Sequence, residues 1–137
     1  MATSTTNWVT AQIALPNDHG LHHVVGTFSG AGATVGLNLD RTQVQTAAPF
    51  SISADVKPVV FGNSTWRGFL SNVRIWNIAR AQSDIAADTF PPPIGQVGVI
   101  AHWPLDDGDD AGIRDLSGNH DGGTIVGSAS WAPFTCP

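Results

Sequence analysis

Gly68-Phe69-Leu70-Ser71-Asn72-Val73-Arg74-Ile75-Trp76-Asn77-Ile78-Ala79-Arg80 is the stretch on which the fold turns. From Phe69 to Trp76 the side chains alternate. Phe69, Ser71, Val73 and Ile75 belong to one face of an extended chain, and Leu70, Asn72, Arg74 and Trp76 to the other. A period of two with β-branched and aromatic residues predicts a strand with one face on a core.

Similar runs lie on either side: Trp8 to Leu15, Leu21 to Phe28, Thr34 to Leu39, Gln43 to Thr46, Val56 to Phe61, and Gly98 to Leu105. Between them stand Pro16-Asn17-Asp18-His19-Gly20, Ser29-Gly30-Ala31-Gly32, Asp40-Arg41 and Gly62-Asn63-Ser64, residues that accept tight or left-handed backbone. Hairpins are expected at these breaks. Short strands with regular turn signals predict a sandwich of antiparallel strands. The helical candidate is short, Ala81 to Asp88, with Ser83 as a possible cap and Ile85 as its large apolar anchor, stopped by Phe90-Pro91-Pro92-Pro93. At 137 residues, with 15 Gly, 9 Pro and 12% charged residues, the chain is read as one all-β domain spanning 1–137.

Two stretches together resemble the laminin-G-like jelly-roll family of the concanavalin-A-like superfamily. Leu21-His22-His23-Val24-Val25-Gly26-Thr27-Phe28 is similar to a family strand reading Trp-His-His-Val, and Gly68 to Arg80 to its signature Gly-x-Ile-Asp-Glu-Val-Arg-Ile-Trp-Asn-x-Ala. His102-Trp103-Pro104-Leu105-Asp106-Asp107-Gly108 with Asp115-Leu116-Ser117-Gly118-Asn119-His120-Asp121-Gly122 resembles Trp-x-Leu-Asp-Glu-Gly followed by Asp-x-Ser-Gly-Asn-x-x-x-Gly. The resemblance runs over roughly residues 19 to 131 and implies a concanavalin-A-like jelly-roll sandwich, shortened or rearranged, because the second segment trails where it usually opens such a domain. The family's strand Trp is Leu21 here, its Ile-Asp-Glu is Leu70-Ser71-Asn72, and its turn Glu is Asp107. A shortened sandwich leaves strand edges and an apolar face to cover, so a homodimer or higher homo-oligomer is expected.

The charge pattern narrows the partners. A net charge of −5, with six Lys and Arg spread between Arg41 and Arg114, offers no basic stripe for phosphates, so nucleic acid is not expected. No apolar run of about 18 residues predicts membrane insertion, and the N-terminus has neither a charged nor an apolar signal region. The location expected is cytoplasmic, or outside by release without a classical signal peptide. Cys136 is the lone cysteine, read as a tail thiol, and Asn63-Ser64-Thr65 matches a glycosylation sequon read as a plain surface turn.

Catalysis is not expected. Retaining glycosidases need two carboxylates about 5 Å apart, usually including a Glu, and this chain has no Glu. No Gly-x-Ser-x-Gly elbow presents a nucleophile. His22 and His23, on opposite faces of a strand, cannot share one metal, and one of them is expected to be a core or inter-sheet histidine bonded to backbone.

Binding is what remains. A solvent-facing aromatic that stacks on a sugar's C–H face, beside side chains that fork onto hydroxyls, is the chemistry of glycan recognition. Trp66, among polar and Gly residues, is the aromatic candidate, with Asn63, Arg67 and His120 as its polar companions, whereas Trp76 and Trp103 read as core or interface. Ca²⁺ takes six to eight oxygens, and Asp106, Asp107, Asp115 and Asn119 are the candidate ligands, with Asp109, Asp110 and Asp121 nearby. A structural or ligand-bridging Ca²⁺ in that turn is also what the resemblance implies. The expected function is a carbohydrate-binding lectin, multivalent through homo-oligomerisation, with calcium as its candidate cofactor. The alternative is a protein-interaction or assembly module on the same sandwich, without sugar binding.

Overall fold

The structure is a computed structural model that describes residues 10–30, 34–48, 58–62, 64–88, 95–108 and 112–133. Expectations placed on Trp8, Val56, Asn63, Phe90 to Pro93, Asp109, Asp110 and Cys136 lie outside the described residues. The described elements are β1 (Val24–Ser29), β2 (Thr34–Leu39), β3 (Thr42–Ala47), β4 (Val73–Trp76), α1 (Gln82–Ala86), β5 (Val99–Trp103), β6 (Gly112–Ile113) and β7 (Gly123–Thr124). They form an all-β architecture of antiparallel sheets, ordered β1-β2-β3, β4-β5 and β6-β7, with one short helix within the expected 81–88 window. Among the described residues no helix is long and apolar enough to cross a membrane. The chain divides into two compact units, Met1–Lys57 with Ala79–Asp88, and Pro58–Ile78 with Thr89–Pro137.

In the first unit, alternation along Thr34 to Leu39 becomes β2, the central strand. Pairing Leu37 with Gly26 and Val44, and Val35 with Phe28 and Thr46, puts Val35, Leu37, Phe28 and Val44 on one face. The other face carries Val25 among Thr27, Gly36, Asn38, Gln43 and Gln45. Gly36 is required there, because a Cβ would run into the Thr27 hydroxyl. The β2–β3 hairpin turns at Asp40-Arg41, as expected, with Asp40 at φ +54°. Positive φ is a demand of tight hairpin turns that Asp tolerates better than most residues. Leu39 and Ile85 are buried, the latter at 1% exposure as the anchor of α1. Arg80 clamps the helix by donating to the Asp88 carboxylate and to the Asp84 carbonyl. The expected cap is corrected: Ala81 occupies the N-cap without a side-chain bond, and Ser83 lies inside the helix.

Other strand expectations are also corrected. Residues 10–15 are irregular, held to β3 by the Thr46 hydroxyl donating to the Thr10 carbonyl at 3.3 Å and not by a ladder. Pro16 to Gly20 is therefore a loop and not a hairpin. Residues 58–61 are unpaired, with Val59, Val60 and Phe61 exposed. In the second unit β4 begins only at Val73, because Asn72 sits at φ +51° and ends the alternation there, leaving Phe69 and Leu70 exposed. Residues 73–76 are all half-buried, so neither face of β4 is sealed.

The β4–β5 ladder pairs Val73 with Trp103, Arg74 with His102 and Ile75 with Ala101, then slips so that Trp76 meets Val99. Ile100 is the extra residue of this bulge, which turns its carbonyl outward. Ala101 and His102 are the buried centre of β5.

Candidate functional site

The second unit contains the stretches expected to carry function, and Asp115 organises the most ordered of them. Its Oδ1 accepts the backbone N–H groups of His102 at 2.8 Å and Ser117 at 2.9 Å. Its Oδ2 accepts the Ser117 hydroxyl at 2.7 Å and the Asp121 N–H at 3.0 Å. Leu116 N–H returns to the His102 carbonyl at 2.8 Å. The side chain of Asp115 thus stands where a neighbouring strand would, covering the edge of β5 that faces away from β4. Asn119 follows the same plan: its Nδ2 donates to the outward Ile100 carbonyl at 2.7 Å and its N–H to the Ser117 hydroxyl at 3.2 Å. Trp103 Nε1 donates to the Asp121 carbonyl at 2.6 Å, and the Trp103 ring meets Phe61 edge-on at 5.8 Å. Burial works to raise the Asp115 pKa, but the bonds from His102, Ser117 and Asp121 outweigh it and hold the carboxyl well below the usual range.

Asp106 and Asp107 have a different partner. Arg114 donates its Nε to Asp107 and its Nη2 to Asp106 at 2.8 Å. The resulting ion-paired turn raises the Arg114 pKa, chiefly through the Asp107 bond.

These bonds test the expected calcium centre. A carboxylate has about four lone-pair positions, and Asp115 fills them with four donors. Asp106 and Asp107 are turned onto a guanidinium. Among the described residues no three His, Cys, Asp or Glu side chains are placed to hold a metal. Asp106, Asp107, Asp115 and Asn119 do not form one cation centre, and their donor set does not fit Ca²⁺ as arranged.

His102 is the buried histidine, at 4% exposure, with Nε2 3.3 Å from Asn72 Oδ1. Burial, then the charge of Arg74, lowers its pKa, so the neutral ring donates to Asn72. The expectation that His22 or His23 fills the core role is corrected: both precede β1, and His22 bonds side-chain carboxylates, not backbone.

Of the residues expected to meet a sugar, Trp66 is half exposed, at 50%. Its indole lies against Gly62 and Gly68, where a Cβ would come within 3.9 and 3.4 Å of the ring. Both glycines have positive φ, +82° and +149°, so the loop curls around the indole only with glycine at those positions. Arg67 is exposed, with Nη1 donating back to the Trp66 carbonyl at 3.0 Å. His120 is exposed at φ +64°, at the end of the turn that Asp115 pins. Asn63 lies outside the described residues. A groove of about 560 Å³ is found in the first unit, lined by Ala11 to Ala14 and Leu37.

Sequence reasoning missed Arg114 as the partner of the acidic turn, although it is the one cation between Asp106 and Asp121. It also missed Asp115 as an acceptor for its own loop, for which Asp115-Leu116-Ser117-Gly118 carried an Asx-turn signal.

A laminin-G family model, described as the concanavalin A-like lectin/glucanases superfamily, matches residues 1–86. The chain belongs to this superfamily, and its antiparallel sheets with one short helix accord with the all-β fold of that class. The matched residues include Leu21 to Phe28 and Gly68 to Arg80, while the segment from His102 to Gly122 lies beyond them. No curated protein and no solved structure matches the chain.

Proposed function

We propose that this chain is a non-catalytic carbohydrate-binding module in which Trp66 is the stacking platform. The observation that carries the reading is the half-exposed indole of Trp66 backed by Gly62 and Gly68. Such a ring is fixed before the ligand arrives and offers an apolar surface to a pyranose. His120, exposed on the pinned loop, is the polar side chain that this reading assigns to a ligand hydroxyl. Arg67 reaches a ligand only by releasing the Trp66 carbonyl. In this reading calcium takes no part in the site, because the carboxylates of Asp106 and Asp107 serve Arg114 and that of Asp115 serves its own loop and the edge of β5. Copies of the chain in a homo-oligomer multiply weak single-site contacts into avidity.

The test is a glycan array followed by titration of the best oligosaccharide, for wild type and Trp66→Ala, each with and without EDTA. Expected are binding by wild type, at least about a tenfold loss on removing the indole, equivalent to about 1.4 kcal/mol, and no response to EDTA. An array blank for wild type overturns the reading, and loss with EDTA overturns its metal-free form.

A second reading rests on Val59, Val60, Phe61, Phe69 and Leu70, which expose 59, 74, 49, 77 and 46% of their surface in the second unit. Exposed apolar groups this close in sequence suit an assembly surface. A blank array together with a defined oligomer by light scattering, dissociated by Phe69→Asp, favours that reading.

A further inference from the structure

His22 stands just ahead of β1 with its side chain 18% exposed and each ring nitrogen facing a different carboxylate. Nδ1 lies 3.0 Å from Asp40 Oδ2 and Nε2 3.0 Å from Asp18 Oδ1. The carboxylates come from separate segments, Asp18 from the loop Pro16 to Gly20 and Asp40 from the β2–β3 turn. Each is held in place: Asp18 Oδ1 accepts the Gly20 N–H at 2.8 Å, and Asp40 Oδ1 accepts the His23 N–H at 2.9 Å. The Asp40 N–H donates to the His23 carbonyl at 2.7 Å.

An ionised carboxylate only accepts, so both contacts are hydrogen bonds only when both ring nitrogens carry protons. A neutral imidazole donates once. Its other nitrogen then aims a lone pair at an oxygen 3.0 Å away, and a bond becomes a repulsion. We propose that His22 is a proton-operated clasp that fastens the Pro16 to Gly20 loop to the β2–β3 turn while it is an imidazolium and releases the loop when it is neutral.

The charges that bear on the ring are Asp18 and Asp40. On its own segment the next residue, His23, has Nε2 3.9 Å from the Asp88 carboxylate, which Arg80 holds, and its charge also helps keep Asp40 ionised. The bond to Asp40, then that to Asp18, raises the His22 pKa above its ordinary 6.5. The Gly20 N–H and then His22 lower Asp18, and His22 and then the His23 N–H lower Asp40, both from 3.8. A raised histidine contributes fully below pH 6.5 and is lost as pH climbs through the raised value, while lowered carboxylates contribute above pH 3.8 and are lost as pH falls through theirs. The clasp is therefore closed under mildly acidic conditions and opens as pH rises through a midpoint above the ordinary histidine value.

NMR titration of the labelled full chain tests this by following the His22 ring and the Gly20 amide, which reports Asp18. Expected are a His22 midpoint above that of an ordinary histidine, protons on both nitrogens at its acid side, and a Gly20 shift with the same midpoint. His22→Gln flattens the Gly20 response, and Asp18→Asn moves the His22 midpoint down. Asp40→Asn lowers it as well, and serves if the first carboxamide variant does not fold. A midpoint at or below the ordinary value, or a Gly20 amide that ignores the His22 titration, overturns the clasp.

Discussion

In the unit built on β1, β2 and β3 a histidine faces two carboxylates near the surface, whereas in the unit built on β4 and β5 a histidine is buried beside Asn72 under the charge of Arg74. The same side chain is pushed in opposite directions. Hydrogen bonds to Asp40 and Asp18 raise His22, and burial with Arg74 lowers His102. The units also differ in how a carboxylate is used. Asp18 and Asp40 meet a group that can lose its proton, while Asp115 meets three backbone N–H groups and a hydroxyl, which keep theirs. One arrangement responds to pH near neutrality and the other does not. The lesson is that the titration of an Asp-rich loop depends on its donors more than on its carboxylates.

The strongest way to break this comparison is Asp115→Ala. It leaves the His102, Ser117 and Asp121 N–H groups without their acceptor, and the expected cost is about 3 kcal/mol of unfolding free energy in urea denaturation. If Asp115→Ala costs no more than Asp18→Ala, the contrast between a structural and a titrating carboxylate is gone. Next in size is Asn38→Leu. Asn38 is fully buried on β2 with neither amide atom bonded. Replacing an unsatisfied amide by an apolar group of similar size is expected to leave stability unchanged or raise it by up to about 1 kcal/mol. A loss above that would reveal a polar partner for the amide. The smallest effect is on the shape of the stability–pH curve. His102, with a lowered pKa, contributes above pH 6.5 and is lost as pH falls below it, so His102→Gln flattens the acid side. His22→Gln flattens the alkaline side by the sign already worked out. Thermal melts of both variants from pH 5 to 9 that change on the same side would collapse the distinction.

Where pattern and turn chemistry agreed, the fold was legible. Thr34 to Leu39 alternates and ends at Asp40-Arg41, and strand and hairpin fall there. Ile85 announced itself as the helix anchor because no other large apolar residue lies nearby. Runs without a partner misled: residues 10–15 and 58–61 have strand composition, but pairing depends on distant edges that periodicity does not report. The Phe69 to Trp76 alternation looked continuous because a left-handed Asn72 leaves no trace in hydrophobic spacing. Trp66 was singled out from its Gly-rich surroundings, and Gly62 and Gly68 do lie against its ring. In the acidic stretch, counting oxygens as candidate ligands did not report which donors in the chain already occupy those of Asp107 and Asp115. Arg114 and the backbone of Ser117 and Asp121 are such donors.

The bond from Asp115 to His102 spans 13 residues, whereas the ladder joining Val73 to Trp103 closes a much longer stretch of chain. Shorter loops cost less entropy to close and form sooner. β5 can therefore acquire its outer guard, and a defined direction, before β4 reaches it during folding. A substitution at Asp115 should show itself in refolding speed, with β5 left to search for its first neighbour in either direction.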